Sequence, residues 1–191
     1  MIPADALLSA YANGWFPMAV APGEIRWYSP DPRGIIPLDT FHAPRRLART
    51  VRQERFELRF DTSFRAVITA CANRRDPDGN WIDHEIVESY CGLHELGIAH
   101  SVETWQDGAL VGGLYGVALK GAFFGESMFH RARDASKVAL TALVDRLRAR
   151  GFVLLDTQWV TAHLVQFGAI EVPRRRYLRM LQQALGVDAT F

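Results

Sequence analysis

The chain has 191 residues, of which 49% are hydrophobic and 23% are charged, and its formal net charge is +1. These values are typical of a folded globular protein, and they argue against a disordered chain or a strongly basic protein that coats nucleic acid. The length allows one principal domain with at most a small extra lobe.

The hydropathy pattern and the start of the chain give an expected location. No apolar run approaches the roughly 18 residues that a membrane span needs, and a start with Asp5 and no early Lys or Arg is unlike a signal peptide. We therefore expect a cytoplasmic protein. Cys71 and Cys91 fall in predicted helices, so we expect buried free thiols rather than a disulfide or a metal pair.

The first part of the chain predicts a short helix followed by irregular structure. Apolar residues at helical spacing predict a helix over residues 3–13, which ends at Gly14. The aromatic and proline-rich stretches over residues 15–18 and 27–33 predict loops. We expect residues 1–33 to form a small amino-terminal lobe.

Two helices with capping residues are predicted next. A strand over residues 56–60 precedes Thr62, which can cap a helix that buries Phe64, Val67, Ile68 and Cys71. After a polar loop over residues 74–80, Asp83 can cap a second helix that ends at Gly97. That helix places four residues for burial: Ile86, Tyr90, Leu93 and Leu96.

The second half predicts a sheet covered by helices. Strands over residues 99–105, 110–118 and 122–125, joined by tight turns, predict an antiparallel meander. Gly112, Gly113 and Gly116 lie within a strand, which indicates close packing or a bulge. Further helices are predicted over 135–150, 163–167 and 175–185, with a buried strand over 152–155. We therefore expect an α+β fold with a mixed sheet, over residues 34–191.

Familiar cofactor and metal motifs are missing. His84-Glu85 and His94-Glu95 each begin like a zinc-protease helix, but neither has the second histidine. The chain has no Gly-x-Ser-x-Gly elbow and no phosphate-binding loop of the Gly-x-x-x-x-Gly-Lys type. We expect no metal and no cofactor.

One carboxylate stands out among apolar residues. Glu126 follows the third strand of the meander, and a carboxylate among Phe123, Phe124 and Met128 is costly to desolvate unless a ligand or donor meets it. Its position therefore indicates a site. An apolar slot beside one carboxylate would suit an amino acid side chain and its amino group.

A second polar pair follows a buried strand. Asp156 leaves the core at the end of that strand, and Gln158 can point the same way if the chain stays extended. The alternative is that Asp156 caps the next helix. Trp81 has two interpretations as well, a core residue or an aromatic that stacks on a base.

The basic residues are clustered, although the net charge is small. All of the 22 Lys and Arg residues except Lys120 and Lys137 are arginine. Two groups could bind phosphates, or could be solvated helix faces: Arg45, Arg46, Arg49, Arg52 and Arg55, and then Arg174, Arg175 and Arg176.

Several of these segments together resemble the leucyl/phenylalanyl-tRNA-protein transferase family. The resemblance runs from about residue 3 to about residue 183, in the same order and with compatible gaps. The motifs are Trp27-Tyr-Ser-Pro-Asp-Pro-Arg33, Trp81-Ile82, Leu93-His-Glu-Leu-Gly97, His100-Ser-Val-Glu103, Leu110-Val-Gly-Gly-Leu-Tyr-Gly-Val117, Gly125-Glu-Ser-Met-Phe129, Ala135-Ser-Lys137 and Asp156-x-Gln158.

The resemblance implies an activity and a fold. It implies a bacterial cytoplasmic enzyme that transfers leucine or phenylalanine from its aminoacyl-tRNA to a protein that begins with arginine or lysine, which marks the product for degradation under the N-end rule. It also implies a main domain like the acetyl-coenzyme A dependent (GNAT-like) acyltransferases.

The resemblance further implies residue roles. The residues matching Asp156 and Gln158 would polarise the attacking amine and relay its proton. Phe123, Phe124 and Met128 would form the pocket for the donor's side chain, with Glu126 and Trp81 beside the terminal adenosine. Residues matching Arg45, Arg49 and Arg52 would hold tRNA phosphates. The chain departs from the family pattern at Met18, where some members carry tryptophan, and at Thr161, where asparagine occurs.

Two alternative functions are weighed against this one. An acyl-coenzyme A dependent N-acetyltransferase would need a glycine turn for the pyrophosphate, but the matching segment reads Arg131-Ala-Arg-Asp-Ala-Ser136. A non-catalytic binder of basic amino termini would explain Glu126 and Asp156 but not the apolar pocket.

Overall fold

The computed structural model describes residues 1–74 and 80–191, so most of the predicted polar loop over residues 74–80 lies outside the described residues. The described strands are β1 (Phe16–Ala21), β2 (Glu24–Tyr28), β3 (Arg33–Ile36), β4 (Glu57–Phe60), β5 (Ala99–Gln106), β6 (Ala109–Leu119), β7 (Ala122–His130), β8 (Leu154–Gln158) and β9 (Ile170–Val172). The described helices are α1 (Ala4–Ala12), α2 (Arg45–Arg52), α3 (Phe64–Ala72), α4 (His84–Glu95), α5 (Ala135–Ala149), α6 (Ala162–Val165) and α7 (Arg174–Leu185).

Seven of the described strands form one mixed sheet in the order β4-β5-β6-β7-β8-β3-β9. Its neighbouring strands run antiparallel, apart from β7 and β8, which are parallel because α5 crosses between them. β1 and β2 form a separate antiparallel pair. The predicted α+β class, mixed sheet and antiparallel meander are confirmed.

The sheet separates two apolar cores. Successive strand residues point to opposite faces, so Phe124 and Tyr115 pack into one core while Phe123 and Leu114 pack into the other. The first core includes residues of α1, α3, α4 and α7, and the second includes residues of α2 and α5. The sheet is thus covered by helices on both faces, and the site residues on its central strands are held between two packed layers.

The predicted loops over residues 15–18 and 27–33 are wrong in part, since only residue 15 and residues 29–32 lie outside strands. Residues 16–21 and 24–28 form the hairpin of β1 and β2, and Arg33 begins β3 inside the main sheet. Pro17 is tolerated in β1 because, among the described strands, β1 pairs only with β2, so a missing N–H disrupts no central ladder. A lobe with its boundary at residue 33 stays a prediction. Leu7 of α1 is fully buried in the first core, which ties this segment to the main sheet.

The two predicted helix caps have different outcomes. Asp83 accepts a hydrogen bond from the Ile86 backbone N–H at 2.9 Å and caps α4, as predicted. Thr62 does not cap α3, because its backbone N–H and hydroxyl both donate to Glu103 on β5. The predicted burial of Leu96 is wrong as well. That residue follows the last turn of α4 and is 63% exposed.

Several boundaries differ from the predicted ones. The third strand of the meander continues to His130, and the strand after α5 covers residues 154–158, so Glu126 and Asp156 lie within strands rather than after them. The strand β9 was not predicted, because three residues carry too little pattern. The close packing predicted at Gly112 and Gly116 is confirmed. A Cβ on Gly112 would lie 2.5 Å from the Ala135 Cβ.

The predicted free thiols are confirmed. Cys71 on α3 and Cys91 on α4 are buried and unbonded. Burial raises the pKa of the Cys71 thiol to about 12, so it stays protonated and unreactive. Within the described ranges, no helix has the length and apolar character that crossing a membrane requires.

Candidate active site

A cleft opens where the two parallel strands of the sheet separate. β7 and β8 pair as far as Phe124 and Asp156, although β7 continues to His130 and β8 to Gln158. A cavity of about 440 Å³ lies there, between the second half of β7 and the end of β8. Its size is in the range of small-molecule sites, and its lining includes Glu126 and Gln158, which makes it the leading candidate for substrate binding.

Glu126 is the extra residue of a β-bulge at this opening. Tyr115 pairs with Ser127 and the next residue of β6, Gly116, pairs with Gly125, so Glu126 has no partner across the ladder. A bulge changes the direction of the following side chains. Met128 consequently packs with the second core and faces Leu114 across the ladder, although strict alternation from Phe124 would place it on the other face.

The Glu126 carboxylate is held by side chains from several elements. Its Oε1 accepts a hydrogen bond from the Tyr11 hydroxyl of α1 at 2.7 Å and from the Gln158 amide at 3.3 Å. Tyr11 also forms a short hydrogen bond with the hydroxyl of Tyr90 on α4. The carboxylate is therefore fixed by contacts among residues far apart in sequence.

The surroundings of Glu126 favour its protonated form. Burial raises the pKa of Glu126 to about 8, and the negative charge of Asp156 adds to the rise, while the Tyr11 hydrogen bond and the charge of Arg33 oppose it. A carboxyl with this pKa changes its protonation state readily when a cation binds beside it. An ammonium group placed beside Glu126 would favour the ionised form and would lower this pKa.

Asp156 is fully buried and is not a helix cap, so that alternative is wrong. Arg33 donates to both carboxylate oxygens, through Nε to Oδ1 at 3.0 Å and through Nη2 to Oδ2 at 2.7 Å. Tyr177 donates to Oδ2 at 2.5 Å, and the Gln158 backbone N–H donates to Oδ1 at 2.8 Å. The next helix, α6, begins after Thr161 instead.

Gln158 lies in a tight turn at the end of β8. Its φ is +59°, in the left-handed region, and the Trp159 N–H donates to the Thr157 carbonyl at 2.7 Å across it. The turn places the Gln158 side chain in the cavity, next to Glu126. Asp156 is not among the described residues that line the cavity.

The apolar part of the cavity is not the one predicted. Met128 lines it, but Phe123 and Phe124 are fully buried and are not among the described lining residues. Both phenylalanines precede the bulge, so their rings point into the two cores. Phe124 packs on Tyr11 with ring centres 4.8 Å apart. The apolar lining of the cavity comprises Leu114, Met128, Leu140, Leu143, Leu155 and Leu164.

Aromatic side chains form another part of the cavity lining. Trp81 lines it as predicted, and its backbone carbonyl accepts a hydrogen bond from the Ala19 N–H at 3.1 Å, which joins β1 to this wall. Met18 and Thr161 line the cavity too. Trp159, 42% exposed, was not foreseen, because a lone tryptophan after a strand has no distinguishing pattern.

Three polar atoms of cavity-lining residues have no hydrogen-bond partner within the described part of the chain. They are the Tyr115 hydroxyl, the Thr157 hydroxyl and the His163 Nε2. A buried polar atom without a partner costs about 1 to 3 kcal/mol.

The arginines predicted to bind phosphate lie together on one helix. Arg45, Arg49 and Arg52 are exposed on α2 and repeat at helical spacing, so they share one face. Arg46 of the same helix lies 3.9 Å from Asp134, directly before α5, whose Ser136 lines the cavity. The basic helix is thus adjacent to the cleft. Among the described residues, no group of three or more His, Cys, Asp and Glu is placed to hold a metal ion.

Comparisons with known proteins identify relatives over nearly the whole chain. The family model described as "Leucyl/phenylalanyl-tRNA protein transferase" matches residues 35–182, and that of its N-terminal domain matches residues 1–31. A leucyl/phenylalanyl-tRNA--protein transferase of Herpetosiphon aurantiacus is 58% identical, over 97% of this chain and 95% of the relative. One from Gloeobacter violaceus is 55% identical, over 98% and 96%.

Solved structures show the same fold at low sequence identity. FemX is 12% identical with a TM-score of 0.51, over 82% of this chain and 60% of FemX. A functionally unknown conserved protein from Staphylococcus epidermidis is 8% identical with a TM-score of 0.51, over 91% of this chain and 65% of that one. The chain thus spans less than two thirds of either structure. The likeness extends to the fold, a mixed sheet covered by helices.

Proposed function

The chain belongs to the leucyl/phenylalanyl-tRNA protein transferase family and is an aminoacyltransferase, and we propose that its reaction takes place in the cleft beside Glu126. The acceptor in this proposal is a protein that begins with arginine or lysine, and its modification marks it for degradation. We place the enzyme in the cytoplasm, where aminoacyl-tRNA is made.

The observation that carries the proposal is the composition of the cavity. Among the described lining residues there is one carboxylate, Glu126, with the Gln158 amide 3.3 Å away, and the lining also includes leucine side chains and Met128. An aminoacyl ester offers the matching groups, since its side chain is apolar and its amino group is cationic. Leucine and phenylalanine fit such a pocket by size and hydrophobicity, and methionine should be accepted to a lesser degree.

The donor's nucleotide end lies against the aromatic wall in this proposal. Trp81 stacks on the terminal adenine, and base stacking on an aromatic side chain contributes about 1 to 3 kcal/mol. The exposed arginines of α2, Arg45, Arg49 and Arg52, hold phosphates of the acceptor stem by charge, without reading its sequence.

The chemical step needs positioning more than a strong base. The nitrogen of the acceptor's α-amino group attacks the ester carbonyl carbon, the new C–N bond forms and the C–O bond to the ribose breaks. The proton lost by the amine ends on the ribose oxygen. An α-amino group has a pKa of about 8, so a useful fraction is neutral near pH 7. Holding amine and ester together can contribute about 7 to 11 kcal/mol at best.

Gln158 and Asp156 have different parts in this step. Gln158 lines the cavity, and its side-chain oxygen accepts a hydrogen bond from the attacking amine while its NH₂ group faces Glu126. Asp156 has all its contacts within the protein, so it acts through the Gln158 backbone N–H that it holds at 2.8 Å. Gln158 therefore relays the influence of the Asp156 charge to the amine.

A direct assay tests the proposal. Purified protein is incubated with leucyl-tRNA and a peptide that begins with arginine, and the peptide is examined by mass spectrometry for one added leucyl residue. A peptide that begins with aspartate and is otherwise identical serves as the control. Unmodified arginine peptide would overturn the proposed acceptor, and equal modification of both peptides would overturn the specificity.

A further inference from the structure

A buried arginine lies behind the candidate catalytic turn. Arg33 is fully buried, and its guanidinium carbon lies over the rings of Phe16 and Tyr177, at 4.9 and 4.5 Å from the ring centres. It is not among the described residues that line the cavity, so it is not placed to touch a substrate. Burying a guanidinium costs desolvation free energy unless its N–H groups form hydrogen bonds within the protein.

The hydrogen bonds of Arg33 reach two separate parts of the fold. Its Nε and Nη2 form two parallel hydrogen bonds with Asp156 of β8, and its Nη1 donates to the Gly14 carbonyl at 2.9 Å, directly after α1. A lysine could not reproduce this arrangement, because only the planar guanidinium offers a fork that matches a carboxylate while a third nitrogen bonds elsewhere.

The carboxylate held by Arg33 fixes the backbone of Gln158. Asp156 Oδ1 accepts from Arg33 and also from the Gln158 N–H at 2.8 Å. Gln158 has a φ of +59°, a conformation that costs a non-glycine residue about 1 to 3 kcal/mol and persists only where neighbouring contacts enforce it. The Asp156 hydrogen bond is such a contact, and it is only as fixed as the carboxylate that makes it.

The strand that contains Arg33 also shapes this turn. Gly34 pairs with Gln158 and Ile35 pairs with Asp156, so Thr157 is an extra residue on β8. A Cβ on Gly34 would lie 2.5 Å from the Trp159 carbonyl carbon, so only glycine allows the turn to pass this close. Arg33 and Gly34 thus act on the same turn from adjacent positions, one through the carboxylate and the other through the backbone.

We propose that Arg33 is a positioning residue, which holds Gln158 in its left-handed turn through Asp156 and thereby aims the Gln158 amide at the reacting groups beside Glu126. This inference rests on the proposed function of the cleft. Through the Gly14 carbonyl it also makes the geometry of Gln158 depend on how the amino-terminal helix docks.

The test measures transfer by enzyme that has already bound its donor. The variant Arg33→Lys keeps the charge but loses the fork, and its single-turnover rate at saturating leucyl-tRNA and arginine peptide is compared with that of the wild type. We expect a decrease on the order of 10- to 100-fold, because small misplacements of reacting groups have effects of this size. The KM values for both substrates should change by less than about 3-fold, since Arg33 does not reach them.

A matched control and a second variant separate positioning from folding. Arg26→Lys alters an exposed arginine of the same segment, which pairs with Glu24, and should leave the rate unchanged. If Arg33→Lys does not fold, the double variant Arg33→Met with Asp156→Asn removes the buried charges together and avoids an unpaired one. This double variant should still bind the donor, and its single-turnover rate should fall by the same 10- to 100-fold as that of Arg33→Lys.

The outcomes distinguish this inference from the proposed function. If the wild type transfers leucine while the folded Arg33 variants do so at the wild-type single-turnover rate, Arg33 has no positioning role. If activity falls only in proportion to the fraction of protein that binds donor, its role is structural, which also overturns the inference. If the wild type itself transfers nothing, the proposed function is wrong, whatever the variants do.

Discussion

The Gln158 amide donates a hydrogen bond to the Glu126 carboxylate over 3.3 Å, although the two residues are 32 positions apart and lie on strands that have already separated. In the proposed reaction this pair borders the point where amine and ester meet. The Glu126→Gln variant keeps the shape of the pair and removes its charge, so we expect kcat/KM for leucyl-tRNA to fall by on the order of 10- to 100-fold, since a hydrogen bond to a charged group is worth about 1.5 to 3 kcal/mol.

Steady-state kinetics with leucyl-tRNA and an arginine peptide measures this effect. Glu171→Gln removes an exposed carboxylate of β9 and serves as the control. An unchanged kcat/KM in Glu126→Gln would remove the carboxylate from the mechanism.

The raised pKa of Glu126 predicts a pH-dependent stability. Its pKa is about 8 in the folded protein and near 4.5 when the chain is unfolded, so the folded state binds the proton more tightly. The contribution of this proton binding to the free energy of unfolding is fully present below about pH 4.5 and is lost as the pH rises through 8. Glu126→Gln should therefore be more stable than the wild type at pH 8, by about 2 to 4 kcal/mol, with little difference at pH 4.

Urea unfolding of both proteins across pH 4 to 9 checks this expectation. A constant difference between wild type and Glu126→Gln at every pH would contradict it. The free energy of unfolding is compared at a fixed ionic strength, so that changes in screening do not imitate titration.

The apolar lining predicts a change in donor preference. Leu143→Ala enlarges the cavity, and we expect the ratio of kcat/KM for phenylalanyl-tRNA to that for leucyl-tRNA to rise on the order of 10-fold, since pocket contacts of this size discriminate by about 1 to 3 kcal/mol. Leu147→Ala, one turn further along α5, truncates a leucine that is equally buried and is not among the described lining residues. It should lower stability by about 2 to 5 kcal/mol and leave the ratio unaltered. Competition between the two charged tRNAs measures the ratio. An equal change of this ratio in both variants would contradict the assignment of Leu143 to the pocket for the donor's side chain.

The exposed arginines of α2 predict a salt-dependent effect. Replacing Arg45, Arg49 and Arg52 with alanine should weaken binding of all tRNAs alike and reduce the slope of log affinity against log salt by about 2 to 3, because each lost phosphate contact removes about one unit. The control replaces three exposed arginines of α7: Arg175, Arg176 and Arg179. Filter binding at several salt concentrations compares the two. A larger loss in the α7 variant would move the RNA surface to that helix.

A buried carboxylate away from the cleft predicts a purely structural effect. Glu103 on β5 is fully buried and accepts hydrogen bonds from Thr62, Ser63, Ser101 and Trp105. Glu103→Gln replaces an acceptor by a donor there, and we expect a loss of about 2 to 4 kcal/mol in unfolding free energy.

Glu57→Gln supplies the comparison for Glu103→Gln, because Glu57 is an exposed carboxylate on the neighbouring strand β4. Its effect should stay below about 1 kcal/mol. Thermal and urea unfolding measure both variants. The transfer rate of folded Glu103→Gln at saturating substrates should match the wild type, and a slower rate would connect Glu103 to the site.

Elements with a local pattern could be predicted from the sequence. The long helix α5 and the meander of β5, β6 and β7 follow from the spacing of apolar residues and from tight turns. Asp83 predicts the start of α4, because a helix cap involves only three neighbouring residues. The motifs around Glu126 and Gln158 likewise marked the residues that meet in the cleft.

The way in which those residues are used depends on contacts that form when the chain folds. The bulge at Glu126 depends on pairing between two strands, and it turns Met128 toward the cavity while Phe123 and Phe124 stay in the cores. Arg33 and Asp156 are 123 residues apart, so no local pattern connects them. Pairing register and burial are properties of the assembled sheet. Composition and spacing could therefore indicate which residues were unusual, but not which of them line the cavity.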